Sequence, residues 1–219
     1  MSFFLFMWVA LFAAFAGIGA AIKGSKPSKR RMRNDIDSIR QDMKEEARDL
    51  VPWKKEEIEL FSLNQSDKKR RRGWSSSSSG FFTNIYHEKV LLYYLKEYGA
   101  KGRNSVVFAR NSQNEYIYNV SKKGAEIYID EFYLGFLDNE GQLFDTKKRE
   151  QVAHVDKETG LSRRLVRTGE KTLGAILTKE DEESKVKQRA FEIMQMDTEK
   201  DRQIFLAIGF FLLILREVN

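Results

Sequence analysis

The sequence of 219 residues contains no cysteine, two histidines and two prolines. The lack of cysteine excludes disulfide bonds, thiolate metal sites, a cysteine nucleophile and S-acylation. The two histidines, His87 and His154, have no second metal ligand at a recognisable spacing. We therefore interpret each as an ordinary loop or strand-end residue, and we predict neither a metal site nor a cofactor.

Motifs typical of enzymes are also missing. The sequence contains no P-loop, no G-x-G-x-x-G fingerprint and no G-x-S-x-G elbow. Residues 138–141 lack the alternating ligands and the closing glutamate of a calcium loop, so they predict a hairpin turn. No pair of carboxylates stands out for acid–base chemistry. These absences favour a protein that is not an enzyme.

Both ends of the chain are apolar, and the part between them is strongly hydrophilic. The mean hydropathy is −0.52, and 32% of the residues are charged. The net charge of +6 indicates an anionic partner, either lipid headgroups or nucleic acid. Nucleic-acid binding needs aromatic platforms beside the basic residues, whereas these aromatics alternate as core residues of strands do. We therefore expect a membrane partner and no nucleic acid.

Residues 2–22 carry no charged side chain and are predicted to form an uncleaved transmembrane signal anchor. A helix of this length, rising ~1.5 Å per residue, crosses a hydrocarbon core of ~30 Å. A cleaved signal peptide is the alternative, but nothing basic precedes the run, which is also longer than a usual signal-peptide core. Gly17 and Ala21 have the spacing of a helix-packing pair, which predicts contact with another transmembrane helix.

Basic residues follow the anchor, and no acidic residue precedes Asp35. This membrane flank consists of Lys23, Lys26, Lys29, Arg30, Arg31 and Arg33. Because positive flanks stay on the cytoplasmic side, we expect a single-pass protein with its N-terminus outside and its domain in the cytoplasm.

Residues 34–50 are predicted to form an amphipathic stalk helix that Asn34 caps and Pro52 ends. Its apolar stripe consists of Ile36, Ile39, Met43, Ala47 and Leu50. The stripe packs on the domain or on the membrane surface, or else it is a partner helix in a larger complex. The predicted organisation is an anchor (1–22), a flank and stalk (23–63), a basic and serine-rich linker (64–80) and a domain (81–219).

From residue 81 to about residue 196, short β-branched and aromatic runs alternate with turn signals. Ten or more such strands predict an antiparallel barrel or sandwich. Residues 204–215 are apolar on every side, so a helix there must be buried all round. A barrel of about twelve strands is wide enough to hold one helix. The fold class is therefore mainly β, with a twelve-stranded barrel around a C-terminal helix; a second membrane segment is the alternative.

The end of the chain resembles the Tubby C-terminal and phospholipid scramblase superfamily. The resemblance rests on Phe191-x-Ile193, Asp197, Ile208-Gly209 and Leu213-Ile214 in order, and on the strand pairs of residues 125–145. It covers about residues 81–215. It implies a barrel of about twelve strands around a central apolar C-terminal helix.

The sequence also departs from that family. Lys185, Lys187 and Arg189 stand where the scramblases carry an acidic calcium-binding stretch. The family's cysteine cluster and proline-rich arm have no counterpart, and the predicted span precedes the domain. Calcium-triggered scrambling is therefore not carried over, and a Tubby-like, membrane-side binding module is what the resemblance implies.

Basic clusters are the candidate lipid-binding residues, because their side chains bind phosphate headgroups by charge-assisted hydrogen bonds. They are Lys68, Lys69, Arg70, Arg71, Arg72, Lys147, Lys148, Arg149, Arg163, Arg164 and Arg167. Alternatively, scattered basic residues keep a barrel soluble and protect its strand edges. The predicted function is a membrane-anchored module that contacts anionic phospholipids at the inner leaflet. The alternative is a non-catalytic structural subunit that holds membrane-protein partners.

Overall fold

A computed structural model describes residues 27–71, 76–99, 104–157, 163–177 and 189–218. The predicted anchor with Gly17 and Ala21, the flanking Lys23 and Lys26, and Arg72 lie outside the described residues. Within those ranges, no helix combines the length and the apolar character that a bilayer-spanning helix requires.

Twelve strands form one antiparallel sheet in which each strand pairs with the next along the chain. The strands are β1 Phe61–Arg71, β2 Ser77–Asn84, β3 Lys89–Tyr98, β4 Asn104–Arg110, β5 Glu115–Ser121, β6 Gly124–Ile129, β7 Phe132–Asp138, β8 Gln142–Asp145, β9 Glu150–Lys157, β10 Arg163–Thr168, β11 Lys171–Leu177 and β12 Phe191–Ile193. Two α-helices, α1 Lys29–Asp42 and α2 Glu199–Val218, and two 3-10 helices, Glu46–Asp49 and Lys55–Leu60, complete the described chain.

The sheet curls until its first and last strands almost meet. Beside β12, Arg189 forms a β-bridge with Ser62 of β1, and the Ala190 amide donates to the Phe61 carbonyl oxygen at 2.8 Å. These contacts leave the barrel nearly closed, and they satisfy backbone groups that an open edge would expose. The predicted mainly β fold with a twelve-stranded antiparallel barrel is confirmed.

Helix α2 fills the barrel. Every residue from 204 to 211 is buried, which means that every face of the helix is covered over that stretch. The Phe210 ring contacts rings of β1, β5 and β12, and the Tyr118 hydroxyl of β5 donates to the Ala207 carbonyl oxygen at 2.8 Å. The predicted burial of the apolar C-terminal helix is therefore confirmed.

A capping box starts helix α2. The Asp201 amide donates to Thr198 Oγ1, and the Thr198 amide donates back to the Asp201 carboxylate, both at 3.1 Å. Lys171 of β11 lies 2.8 Å from both Asp197 and Asp201, so the acidic residues that precede the helix tie its start to the barrel wall.

Helix α1 begins earlier than the sequence predicts. Its cap is Ser28, whose hydroxyl accepts from the Arg31 amide at 3.2 Å, and not Asn34. The helix ends at Asp42, and a 3-10 turn over Glu46–Asp49 continues the chain. Lysine and arginine are good helix formers, so four residues assigned to the membrane flank, Lys29, Arg30, Arg31 and Arg33, belong to the first turns of α1.

The apolar stripe of α1 lies on the outside of the barrel. Ile39, Met43 and Leu50 are buried against Leu92, Phe108 and Ile117, which point outward from β3, β4 and β5. Ile36 and Ala47 pack on the same cluster. The barrel therefore buries Ile39, Met43 and Leu50, while Ile36 and Ala47 stay half-buried.

The structure has strands where the sequence predicts a linker. Residues 61–71 and 77–84 pair as β1 and β2, with Arg71 opposite Ser77 and Ser66 opposite Phe81. Serine and basic residues have little strand propensity. The pairing of β1 therefore depends on the apolar residues at its start and on the neighbouring strand β2. Phe61 and Phe82 are fully buried and in contact, with ring centroids 5.5 Å apart.

The up-and-down order gives the barrel two distinct ends. We call end A the end at which turns 121–124 and 138–142 lie, because Ser121 pairs with Gly124, and Gly124 with Asp138. End B carries the opposite turns, at residues 111–114, 130–131 and 146–149. Helix α1 starts at end A and runs along the outside of the barrel toward end B.

Candidate functional site

Three cations at the start of α1 are open to solvent and uncompensated. Lys29, Arg30 and Arg33 are exposed and form no ion pair with another described residue. Lys29 and Arg33 are one helical turn apart, so they share a face of α1. That face borders the outer wall of the barrel near Ser105 and Val120 at end A.

A second basic pair lies at the same end. Lys122 and Lys123 form the exposed β5–β6 turn. The Asn139 side chain of the neighbouring β7–β8 turn donates to the Lys122 carbonyl oxygen at 2.8 Å, which links the two turns. End A therefore presents cations from α1 and from the β5–β6 hairpin, which is not among the basic clusters predicted from the sequence.

The clusters predicted from the sequence do not all lie together. The backbone of Lys68, Lys69, Arg70 and Arg71 runs in the part of β1 nearest end A. Lys147, Lys148 and Arg149 form the exposed β8–β9 turn at end B. The structure therefore separates these two groups by the length of the barrel.

Strand β10 begins at end A and carries the third predicted cluster. Two of the three arginines in this cluster form ion pairs with acidic side chains. Arg163 lies 2.9 Å from Glu192, and Arg167 lies 3.1 Å from Asp156. Arg164 is half-buried and forms no ion pair with a described residue. Of this cluster, Arg164 alone keeps its charge uncompensated within the described chain.

An ionic contact holds the first half of α1 against the barrel. The Asp35 carboxylate accepts from Lys96 Nζ at 2.8 Å and from the Tyr98 hydroxyl at 2.6 Å. Burial alone raises the pKa of Asp35, but these hydrogen bonds more than offset it, so its pKa lies below the ordinary value. Burial and the Asp35 hydrogen bond raise the pKa of Tyr98, and Arg31 lies 5.6 Å from the centre of its ring.

A second ionic contact holds the other half of α1 near end B. Arg40 lies 2.8 Å from Glu115 and 3.3 Å from Glu131. The hydrogen bond to Glu115 raises the pKa of Arg40, which stays charged. Together with the buried stripe, the two ionic contacts fix the position of α1 relative to the sheet.

Between these contacts a groove opens on the outside of the barrel. Its volume is ≈ 520 Å³, which falls within the range of about 300–1,000 Å³ that is usual for small-molecule sites. One wall is α1, with half-buried Met32 and Ile36. The floor is the outer face of β4–β7, where half-buried Tyr128 and Phe136 add aromatic surface.

The polar groups of the groove include one carboxylate that accepts two hydrogen bonds. The Glu126 carboxylate accepts from the Tyr128 hydroxyl at 3.1 Å and from Asn119 Nδ2 at 3.4 Å. Asn119 Oδ1 is buried and has no hydrogen-bond partner among the described residues. Burial raises the pKa of Tyr128 to about 12, so its hydroxyl remains a donor at neutral pH.

The sequence does not predict this groove. Its walls come from residues about 27–40 and about 104–136 in sequence, and no linear motif joins them. Residues two apart in a strand share a face, so Ile117 lies beside Asn119 on β5 and Glu126 beside Tyr128 on β6. This mixture of apolar and polar residues could have shown that the outer face is partly apolar.

Comparison with known proteins gives no assignment: no family model, no curated protein and no solved structure matches this chain. Within the described residues, no cluster of three or more histidine, aspartate or glutamate side chains could hold a metal ion. The candidate site is therefore defined by end A and by the groove beside it.

Proposed function

We propose that this chain is a membrane-anchored, cytoplasm-facing binding module whose barrel contacts anionic phospholipid headgroups through end A. The observation that carries the proposal is the exposed and uncompensated set of Lys29, Arg30 and Arg33 at the start of α1. Each basic residue close to an anionic surface contributes ~1 kcal/mol of attraction.

The position of this set also supports the proposal. Residue 27, the first described residue, lines the mouth of the groove, and α1 begins two residues later. An anchor over residues 2–22 would therefore join the barrel at end A. A short connection of this kind would hold the cations of α1 and of the 121–124 turn near the headgroups.

The architecture supports a Tubby-like barrel as part of the same proposal. Twelve antiparallel strands in sequential order enclose an apolar C-terminal helix, the arrangement that the resemblance to the Tubby and scramblase superfamily implies. A partner helix in a larger complex needs a free apolar stripe, whereas α1 packs its stripe against the barrel, which favours the lipid-binding function.

Charge reversal at end A is expected to weaken binding to acidic vesicles by at least about a hundredfold, since three lost attractions of ~1 kcal/mol each exceed two factors of ten. The test uses a fragment beginning at Pro27, which keeps both hydrophobic clusters, and vesicles of phosphatidylcholine with and without phosphatidylserine. Sedimentation measures the bound fraction of wild type and of the K29E/R30E/R33E variant.

The matched control is K147E/K148E/R149E, which changes the charge by the same amount at end B. We expect this variant to bind as wild type does, and we expect high salt to release both, because the Debye length falls to about 3 Å at 1 M salt. Wild type that ignores phosphatidylserine contradicts the proposal. Equal losses in the two variants show that binding follows net charge and contradict the orientation.

A further inference from the structure

We infer that the groove between α1 and strands β4–β7 holds one single-chain anionic phospholipid, of the lysophosphatidic acid type, with its phosphate at Lys29 and Arg33. This inference rests on the proposed function, because it requires end A to lie at an anionic leaflet. It adds an acyl-chain site to a surface that otherwise contacts only headgroups.

Charge identifies the head of the occupant. Lys29 and Arg33 line the groove where it reaches end A, and neither forms an ion pair with another described residue. Toward end B the groove cation Arg40 is neutralised by Glu115, Glu131 and Asp37. The groove therefore has one cationic mouth, where a phosphate makes charge-assisted hydrogen bonds.

The lining identifies the chain. Met32 and Ile36 on α1 face Tyr128 and Phe136 on the sheet, and all four side chains are only half-buried. Covering this apolar surface with a hydrocarbon chain is favourable by ~25 cal/mol per Å² removed from water. A free phosphate or a sugar phosphate would leave the surface wet.

A buried acceptor identifies the linker between head and chain. Asn119 lines the groove, and its buried Oδ1 has no hydrogen-bond partner in the described chain. An unpaired buried acceptor of this kind costs about 1–3 kcal/mol, and a donor from a ligand removes the cost. The free glycerol hydroxyl of a lysophospholipid is such a donor, whereas a diacyl phosphatidic acid has esterified that position.

The test is photo-crosslinking of the full chain in phosphatidylcholine vesicles. The probe is a lysophosphatidic acid with a diazirine in its acyl chain, and crosslinked peptides are mapped by mass spectrometry. We expect labelling within residues 104–136 and 29–40. A probe with the same chain and a phosphocholine head is expected to label these segments at least about tenfold less, for the loss of roughly 1.4 kcal/mol of charge attraction.

Three variants sharpen the test. Asn119→Trp fills the groove and is expected to abolish labelling there, while Gln151→Trp, an exposed position on β9, leaves it unchanged. Asn119→Leu keeps the space but removes the acceptor. In this variant we therefore expect equal labelling by the probe and by a form of it whose free glycerol hydroxyl is methylated.

The wild-type map separates the two proposals. Labelling of the 121–124 turn without the groove overturns the acyl-chain site and leaves the headgroup contact standing. Labelling restricted to residues 1–26 overturns the acyl-chain site alone, because a diazirine in the acyl chain does not report a headgroup contact. Groove labelling that persists in Asn119→Trp, or that is equal for the two headgroups, also overturns the acyl-chain site.

Discussion

Replacing Phe210 by alanine is expected to lower the free energy of unfolding by about 3–5 kcal/mol. The Phe210 ring is fully buried at the centre of the barrel. Its centroid lies 5.0 Å from Tyr116, 5.7 Å from Phe61, 6.0 Å from Trp53 and 6.1 Å from Phe191. Removing it opens a cavity against β1, β5, β12 and the loop before the second 3-10 helix, and a rigid barrel cannot close over such a cavity.

Urea unfolding of the fragment that begins at Pro27 measures this loss as a lower midpoint at an unchanged slope. Leu212→Ala on the same helix is the matched control, since Leu212 is only partly buried, and its loss should be clearly smaller. Equal losses in the two variants, or a loss under about 1 kcal/mol for Phe210→Ala, would show that α2 is not enclosed.

Replacing Gly174 by valine is expected to cost about 3 kcal/mol, or a fall in Tm of roughly 6–12 °C for a domain of this size. A Cβ atom at position 174 would lie 2.4 Å from the Glu192 carbonyl oxygen and 2.9 Å from the Phe205 ring. The first neighbour is backbone of β12 and the second belongs to α2, so neither can move without opening the barrel.

Thermal unfolding of the same fragment tests this expectation. Thr172→Val introduces the same side chain two residues earlier, at a half-buried position of β11, and should change Tm little. If Gly174→Val and Thr172→Val have the same Tm, then β11, β12 and α2 are not packed as closely as the structure has them.

The enclosed helix could be predicted from the sequence because its signal is local. Residues 204–215 are apolar on every side, and in a hydrophilic chain only a barrel interior covers all faces of a helix. Strand β1 was missed for the opposite reason. Its basic residues and the serines of β2 carry no strand signal, and the buried contact of Phe61 with Phe82 becomes visible only once the chain has folded.

The candidate site could be predicted only in part. The basic residues of α1 were recognised, although they were assigned to a membrane flank, because a run of cations after an apolar segment is a strong linear pattern. Their separation from Lys147, Lys148 and Arg149 depends on the up-and-down strand order. The groove depends on the contacts of Asp35 and Arg40 with the sheet, which join residues at least 61 positions apart.

The orientation of the barrel on the membrane is the central claim, and fluorescence quenching by lipid-borne quenchers tests it most directly. The full chain lacks cysteine, so Lys123→Cys at end A and Ser112→Cys at end B each give a single labelling site. In vesicles with phosphatidylserine, we predict strong quenching of the label at position 123 and little at position 112. Equal quenching at the two positions, or stronger quenching at position 112, would contradict the account.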